Sequence, residues 1–113
     1  MDPYLGHKKK RPEAKIQDAI IRMLTLKSWY VHATHGGMYQ SGFPDLFCTH
    51  KMYGHRWVEV KLPGMKGSRF TLAQLDQFPK MCAFGSGVWV LTAATPDEYQ
   101  KLFKDHNWFV YLM

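Results

Sequence analysis

The chain has 113 residues, enough for one domain and one hydrophobic core. Apolar residues make up 46% and charged residues 21%, which excludes disorder over most of the length, and no apolar run approaches the roughly 20 residues that a membrane-spanning helix needs. Fifteen Lys and Arg stand against nine Asp and Glu, a formal charge of +6 that points to a polyanionic partner, nucleic acid first.

Met1-Asp2-Pro3-Tyr4 leads into the cluster His7-Lys8-Lys9-Lys10-Arg11 without the apolar stretch of a signal peptide, so a soluble, cytoplasmic protein is expected. Residues 1–11 read as a flexible basic arm and residues 12–113 as a single domain. The arm suits phosphate contact, a nuclear-localisation-like tract or a solubilising tail. From Pro12, a favoured first helical residue, the spacing predicts an amphipathic helix to about Lys27 with Ile16, Ile20, Met23 and Leu24 on one face. Trp29 to Ala33, aromatic and β-branched, reads as a strand. The loop Thr34 to Pro44 holds three glycines, and its length suggests function.

Two alternating segments follow, Asp45 to His50 and His55 to Leu62, with Leu46, Cys48, Val58, Val60 and Leu62 on one parity. They predict a hairpin with one apolar and one polar face. With Met52-Tyr53-Gly54 as the connection, Lys51 pairs with His55, Asp45 faces Lys61, and Asp45, Glu59 and Lys61 share the polar face. Beyond Pro63 to Arg69, Thr71 and Gln74 form a capping box opening a helix through Leu72, Leu75, Phe78 and Cys82 towards Gly85, which Pro79 is expected to kink or shorten. Val88 to Thr92 reads as a strand, Thr95-Pro96-Asp97-Glu98 as a capping box before a short helix, and Trp108 to Leu112 as a last strand. The order αβββαβαβ predicts an α/β fold, a mixed sheet flanked by helices.

The chemistry lies on the hairpin's polar face. Two carboxylates and an ammonium on neighbouring strand positions suit Mg²⁺ or Mn²⁺, with Lys61 placed to orient or help deprotonate an attacking water. Taken alone, Glu59-Val60-Lys61 is also the pattern of a surface ion pair. Glu13 shares a helix face with Ile16, Ile20 and Leu24, and a carboxylate pointing to the sheet needs a reason that a shared metal supplies.

In this order, helical Glu13, then Gly42-Phe43-Pro44-Asp45-Leu46, then Trp57-Val58-Glu59-Val60-Lys61, then Ser68-Arg69-Phe70-Thr71 with Gln74, the chain resembles the PD-(D/E)XK nucleases, and within them the small VRR-NUC type. The resemblance runs from Glu13 to Leu112. It implies a restriction-endonuclease-like αβββαβ core, here with an added αβ unit. It further implies Asp45 and Glu59 as metal-binding carboxylates, the backbone carbonyl of Val60 as a further ligand, Lys61 as the catalytic lysine, Glu13 as the first-helix acid and Gln74 as a glutamine that orders the site. Mg²⁺ or Mn²⁺ is the implied cofactor, with no organic one. Small stand-alone members resemble Holliday-junction resolvases that act as homodimers on branched DNA, which makes a metal-dependent endonuclease the expected function. A nuclease for nicked, flapped or ordinary duplex DNA, or a catalytically silent DNA-binding module, are the alternatives.

Lys8, Lys9, Lys10, Arg11, Lys66 and Arg69 are candidate phosphate contacts, and the loop carrying His35, Tyr39 and Gln40 is placed to reach a cleavage site or stack on an unpaired base. Cys48, His50 and His55 have a spacing loosely like that of zinc ligands, but a structural Cys and a hydrogen-bonded His are the simpler reading. Cys48 and Cys82 are expected to be reduced. Neither a G-x-x-x-x-G-K-[ST] loop nor a G-x-S-x-G elbow occurs, against a P-loop NTPase and a serine hydrolase.

Overall fold

The computed structural model describes residues 12–34, 42–65 and 69–112. Pro12 opens α1 (Pro12–Leu26), where its missing N–H leaves no bond unmade. Ile20 and Leu24 are its buried residues. The helix ends in a left-handed turn: Ser28 has φ 73°, and the Trp29 N–H returns to the Leu24 carbonyl at 3.0 Å. Then follow β1 (Tyr30–Ala33), β2 (Leu46–His50), β3 (Gly54–Val60), α2 (Leu72–Ala83), β4 (Val88–Leu91) and α3 (Pro96–Gln100), with 3-10 turns at Pro63–Met65, Lys101–Phe103 and Trp108–Leu112. Among the described residues no helix is long and apolar enough to cross a membrane.

The strands form one sheet in the order β1-β2-β3-β4, with β1, β2 and β3 antiparallel and β4 parallel to β3. This is the mixed sheet flanked by helices that the pattern predicts. A parallel neighbour needs a crossover, and α2 supplies it. The pleat then sorts side chains into two cores. Leu46, Cys48, Val58, Val60 and Leu91 project to the α1 side, where they pack with Ile20, Leu24, Trp29 and Leu102. Val88 and Val90 project to the opposite side, against Phe78 of α2 and Trp108. Glu59 shares that second face, so α2 lies over the polar stretch of β3.

Four expectations need correction. The hairpin register is shifted by two residues: Leu46 pairs with Val58 and His50 with Gly54, so the turn is Lys51 to Tyr53 and Asp45 comes opposite Glu59 rather than Lys61. A shift of two keeps every side chain on its face, and Gly54 opens β3 at φ 79°, a conformation natural to glycine. The last segment, Trp108–Leu112, is a 3-10 helix and not a strand. The free edge of β4 is taken by Asn107: the Val90 N–H donates to its Oδ1 at 2.7 Å, and its own N–H donates to the Val88 carbonyl at 3.3 Å. Pro79 does not shorten α2, which runs on to Ala83. Pro79 and Leu75 are exposed, so the Leu75 carbonyl that loses its donor is on the wet face. At α3 only half of the expected capping box forms: Thr95 accepts the Glu98 N–H, while the Glu98 carboxylate accepts from Thr92 instead.

Candidate functional site

The site is built where β2 begins and β3 ends. Gly42 brings the chain in: it has φ 87°, and a Cβ there would lie 2.6 Å from the Ala73 carbonyl oxygen, so only glycine lets this segment cross so close to the start of α2. Pro44 is buried, and the Thr34 hydroxyl donates to the carbonyls of Pro44 and Asp45 at 2.7 and 3.0 Å. Asp45 is thereby fixed at the mouth of the hairpin. Its Oδ2 accepts the Val60 N–H at 2.8 Å, and its own N–H donates to Glu59 Oε1 at 3.2 Å. These crossed bonds hold the two carboxylates against each other.

Glu59 and Lys61, two residues apart on one strand, point to the same side and are 1% and 4% exposed. Burying an ion pair is unfavourable unless the remaining donors and acceptors are met. Here they are. The three Lys61 N–H groups have three acceptors: Glu59 Oε2 at 3.1 Å, the Arg69 carbonyl at 2.6 Å and Gln74 Oε1 at 3.5 Å. The Phe70 ring covers the ammonium at 5.1 Å from its centroid. Glu59 Oε2 also accepts from Gln74 Nε2 at 2.8 Å.

Gln74 joins this site to the helix above it. The Thr71 N–H donates to its Oε1 at 3.0 Å and its own N–H donates to the Thr71 hydroxyl at 3.1 Å, so the capping box of α2 is complete. The same side chain thus caps α2 and braces Glu59 and Lys61.

The electrostatics are those of carboxyls crowded out of water. Burial raises the Glu59 pKa from 4.5 to about 8, and the Asp45 charge adds to the rise against the lowering pull of Lys61 and the Gln74 hydrogen bond. The Asp45 carboxyl is raised as well, by burial first and by the charge of Glu13, while the Val60 N–H bond, Lys61 and the Glu59 side chain lower it. Glu13, half-buried near the start of α1, therefore acts on the site through its field. Among the described residues no group of three or more His, Cys, Asp and Glu side chains is arranged to hold a metal. The pair Asp45 and Glu59 offers two hard oxygen ligands, and Mg²⁺ commonly takes only one or two carboxylates, with waters and phosphate oxygens filling its other positions.

The structure thus brings Asp45, Glu59, Lys61 and Gln74 together, sets Glu13 within electrostatic reach and turns the Val60 N–H onto Asp45. Arg69 is exposed at the rim, its carbonyl on Lys61. Lys8, Lys9, Lys10, Arg11, His35, Tyr39, Gln40 and Lys66 lie outside the described residues. For three contributors no such role follows from the sequence: Phe70 over the ammonium, the Arg69 carbonyl and Thr34 behind Asp45. The zinc-like spacing does not converge: Cys48 is buried in the core with its thiol pushed up to about 12 by burial, His50 is stacked on Tyr53, and His55, opposite Thr49, projects from the other face beside Phe47. Cys48 and Cys82 are both free thiols. Comparison with family models, with curated proteins and with solved structures returns no match.

Proposed function

We propose that the protein is a metal-dependent DNA endonuclease that hydrolyses phosphodiester bonds, in branched DNA such as four-way junctions, and works as a homodimer. The observation that carries the reading is the buried Glu59–Lys61 pair set against Asp45 and braced by Gln74. A strand that needed only stability would place apolar residues at such positions, because a buried ion pair seldom improves on them. A pair of crowded, desolvated carboxyls is costly without a cation and favourable with one, and this supports Asp45 and Glu59 as ligands of Mg²⁺ or Mn²⁺, with Glu13 and the Val60 carbonyl nearby. When bound, the ion supplies Lewis-acid stabilisation of charge developing on the phosphate.

The chain's own groups do the rest. Lys61 presents an ammonium beside the carboxylates, and the N–H it releases once Glu59 Oε2 turns to the ion would orient the attacking water and stabilise the anionic transition state. Gln74 keeps Glu59 and Lys61 in place, and Arg69 at the rim contacts the backbone phosphates. The excess of cations draws the protein to DNA, with selectivity taken from the shape of the substrate and the symmetry of the dimer.

The test is incubation of the purified protein with a four-way junction, a matched linear duplex and supercoiled plasmid, with Mg²⁺ or Mn²⁺ and with EDTA. Metal-dependent cleavage that EDTA abolishes, faster on the junction, is expected. Binding without any cleavage, in either metal, would leave a silent DNA-binding module on this fold.

A further inference from the structure

The tip of the β2–β3 hairpin carries a second group of side chains that the carboxylate site does not use. Lys51, Met52 and Tyr53 of the turn, with His50 and Ser28, line an open recess of about 550 Å³. Met52 is 78% exposed and Tyr53 43%. The rings behind them are fixed: His50 stacks on Tyr53 at 4.5 Å between centroids, Trp29 lies 5.1 Å from His50, and Phe103 meets the Tyr53 ring edge-on at 4.8 Å. Such a backing holds the exposed part of Tyr53 in place, so little entropy is lost when something packs on it.

Every polar side chain at the recess is able to donate. The Ser28 and Tyr53 hydroxyls and the Lys51 ammonium have no hydrogen-bond partner among the described residues. His50 Nδ1 accepts the Met52 N–H at 3.0 Å, which leaves Nε2 as the ring's donor. Neither Lys27 to Ala33 nor Leu46 to Val58 contains an acidic residue, while both contain cations. Donors and positive charge without a carboxylate select an anion, and the apolar and aromatic surface beside them selects a planar ring.

We propose that the hairpin tip binds one nucleotide unit of a single nucleic-acid strand, with the base against Tyr53 and Met52 and the phosphodiester at Lys51, His50 and Ser28. The tip stands about 17 Å from Asp45, five strand residues at ~3.3 Å each, so a strand held here is gripped several nucleotides away from the carboxylates. The site goes beyond the endonuclease reading and does not rest on it.

The experiment is anisotropy of a fluorescein-labelled oligothymidylate titrated with the full chain in EDTA, where no metal-dependent cleavage occurs. Tyr53→Leu weakens binding about ten-fold through lost stacking. Lys51→Ala, an exposed change that leaves the core alone, lowers the slope of log affinity against log salt by about 0.7, the value for one phosphate contact on a single strand. Lys80→Ala, on the outer face of α2 and paired with Asp76 at 3.0 Å, changes neither. Unlabelled thymidine monophosphate and inorganic phosphate compete only at concentrations far above that of the oligonucleotide. Wild-type binding by both Tyr53→Leu and Lys51→Ala, or no binding of the oligonucleotide at all, overturns the proposal. Displacement by the mononucleotide at the oligonucleotide's own concentration also overturns it, in favour of a free-nucleotide site. Tip-dependent binding in a chain that cleaves nothing sustains this site and sinks the endonuclease, and cleavage without tip dependence does the reverse.

Discussion

Lys61 is tied down by three acceptors and a ring, more than an ordinary surface lysine needs, and its removal separates a structural from a catalytic role. Burial raises the Glu59 pKa and Lys61 lowers it, so Lys61→Ala leaves a carboxyl that can take up a proton rather than stay an orphaned charge. The cost in stability should stay at about 1–3 kcal/mol, from the hydrogen bonds left unmade. Cleavage should fall by orders of magnitude while DNA binding stays within a few-fold, because one lysine adds little to a contact with many phosphates. Thermal melting, nicking and binding on one preparation check this, and unchanged turnover returns Lys61 to a structural ion pair. Asp45 and Glu59 give a second prediction, in pH. With Glu59 raised from 4.5 to about 8 on folding, the native state holds a proton that the unfolded chain releases between those values. In EDTA this group therefore makes stability fall as pH rises from 4.5 to about 8. Asp45→Asn removes one cause of the rise at nearly constant shape, and its side-chain oxygen can still accept the Val60 N–H. The variant should melt higher than wild type at pH 8 and show a shallower pH slope. Adding Mg²⁺ or Mn²⁺ should reverse the order, since wild type gains RT ln(1 + [L]/Kd) and the variant largely loses it. Parallel responses of the two proteins to metal would remove Asp45 from the ligands.

At the scale of elements, the link between fold and site is the first turn of α2, where Thr71 serves only the helix and Gln74 serves both. Thr71→Ala should cost about 1 kcal/mol, the usual loss for an N-cap, with cleavage falling only as far as the site loosens. Gln74→Ala removes half of the cap and also the amide between Glu59 and Lys61, so its effect on cleavage should far exceed its effect on melting. Equal ratios of the two effects in both variants, by melting and nicking, would mean that Gln74 acts only as a cap. The capping box was legible from Thr71 and Gln74 alone, but the second role of Gln74 came only from the family resemblance. The faces of β2 and β3 were legible too, because alternation has period two and any even register error preserves it. The register itself was not: turns at Lys51 to Tyr53 and at Met52 to Gly54 satisfy the same alternation, and the structure's choice joins Asp45 to the Val60 N–H. The Trp108–Leu112 segment failed for another reason. An aromatic run reads equally as a strand or as a 3-10 turn with Trp108 and Tyr111 turned inwards, and Asn107 at the edge of β4 decides between them. Backbone acceptors such as the Arg69 carbonyl have no signature in any residue type.

Across the whole molecule, the proposed nuclease depends on assembly and on charge. Paired cuts on opposing strands need two active sites, so light scattering should find a dimer in solution, and a strict monomer would reduce the proposed resolvase to a single-strand nickase. Charge is the other lever. Residues 1–11 hold four of the fifteen cations and one of the nine acids, which is half of the net +6, so the arm concentrates positive charge far above the chain average. Contacts from such an arm fall on phosphates, which every DNA shape and sequence presents. Deleting residues 1–10 removes Lys8, Lys9 and Lys10, and if each neutralises one phosphate of a duplex the slope of log affinity against log salt should flatten by up to about 3. The loss of affinity should be the same for junction, flap and linear duplex, and it should be largest at low salt, where released counterions contribute most. Cleavage at saturating DNA should be unchanged, because Lys8, Lys9 and Lys10 are not among the residues proposed for the chemistry and would supply encounter alone. Affinity lost on junctions alone, with linear duplex bound as before, would make the arm a reader of DNA shape, and the salt slope would then hardly move.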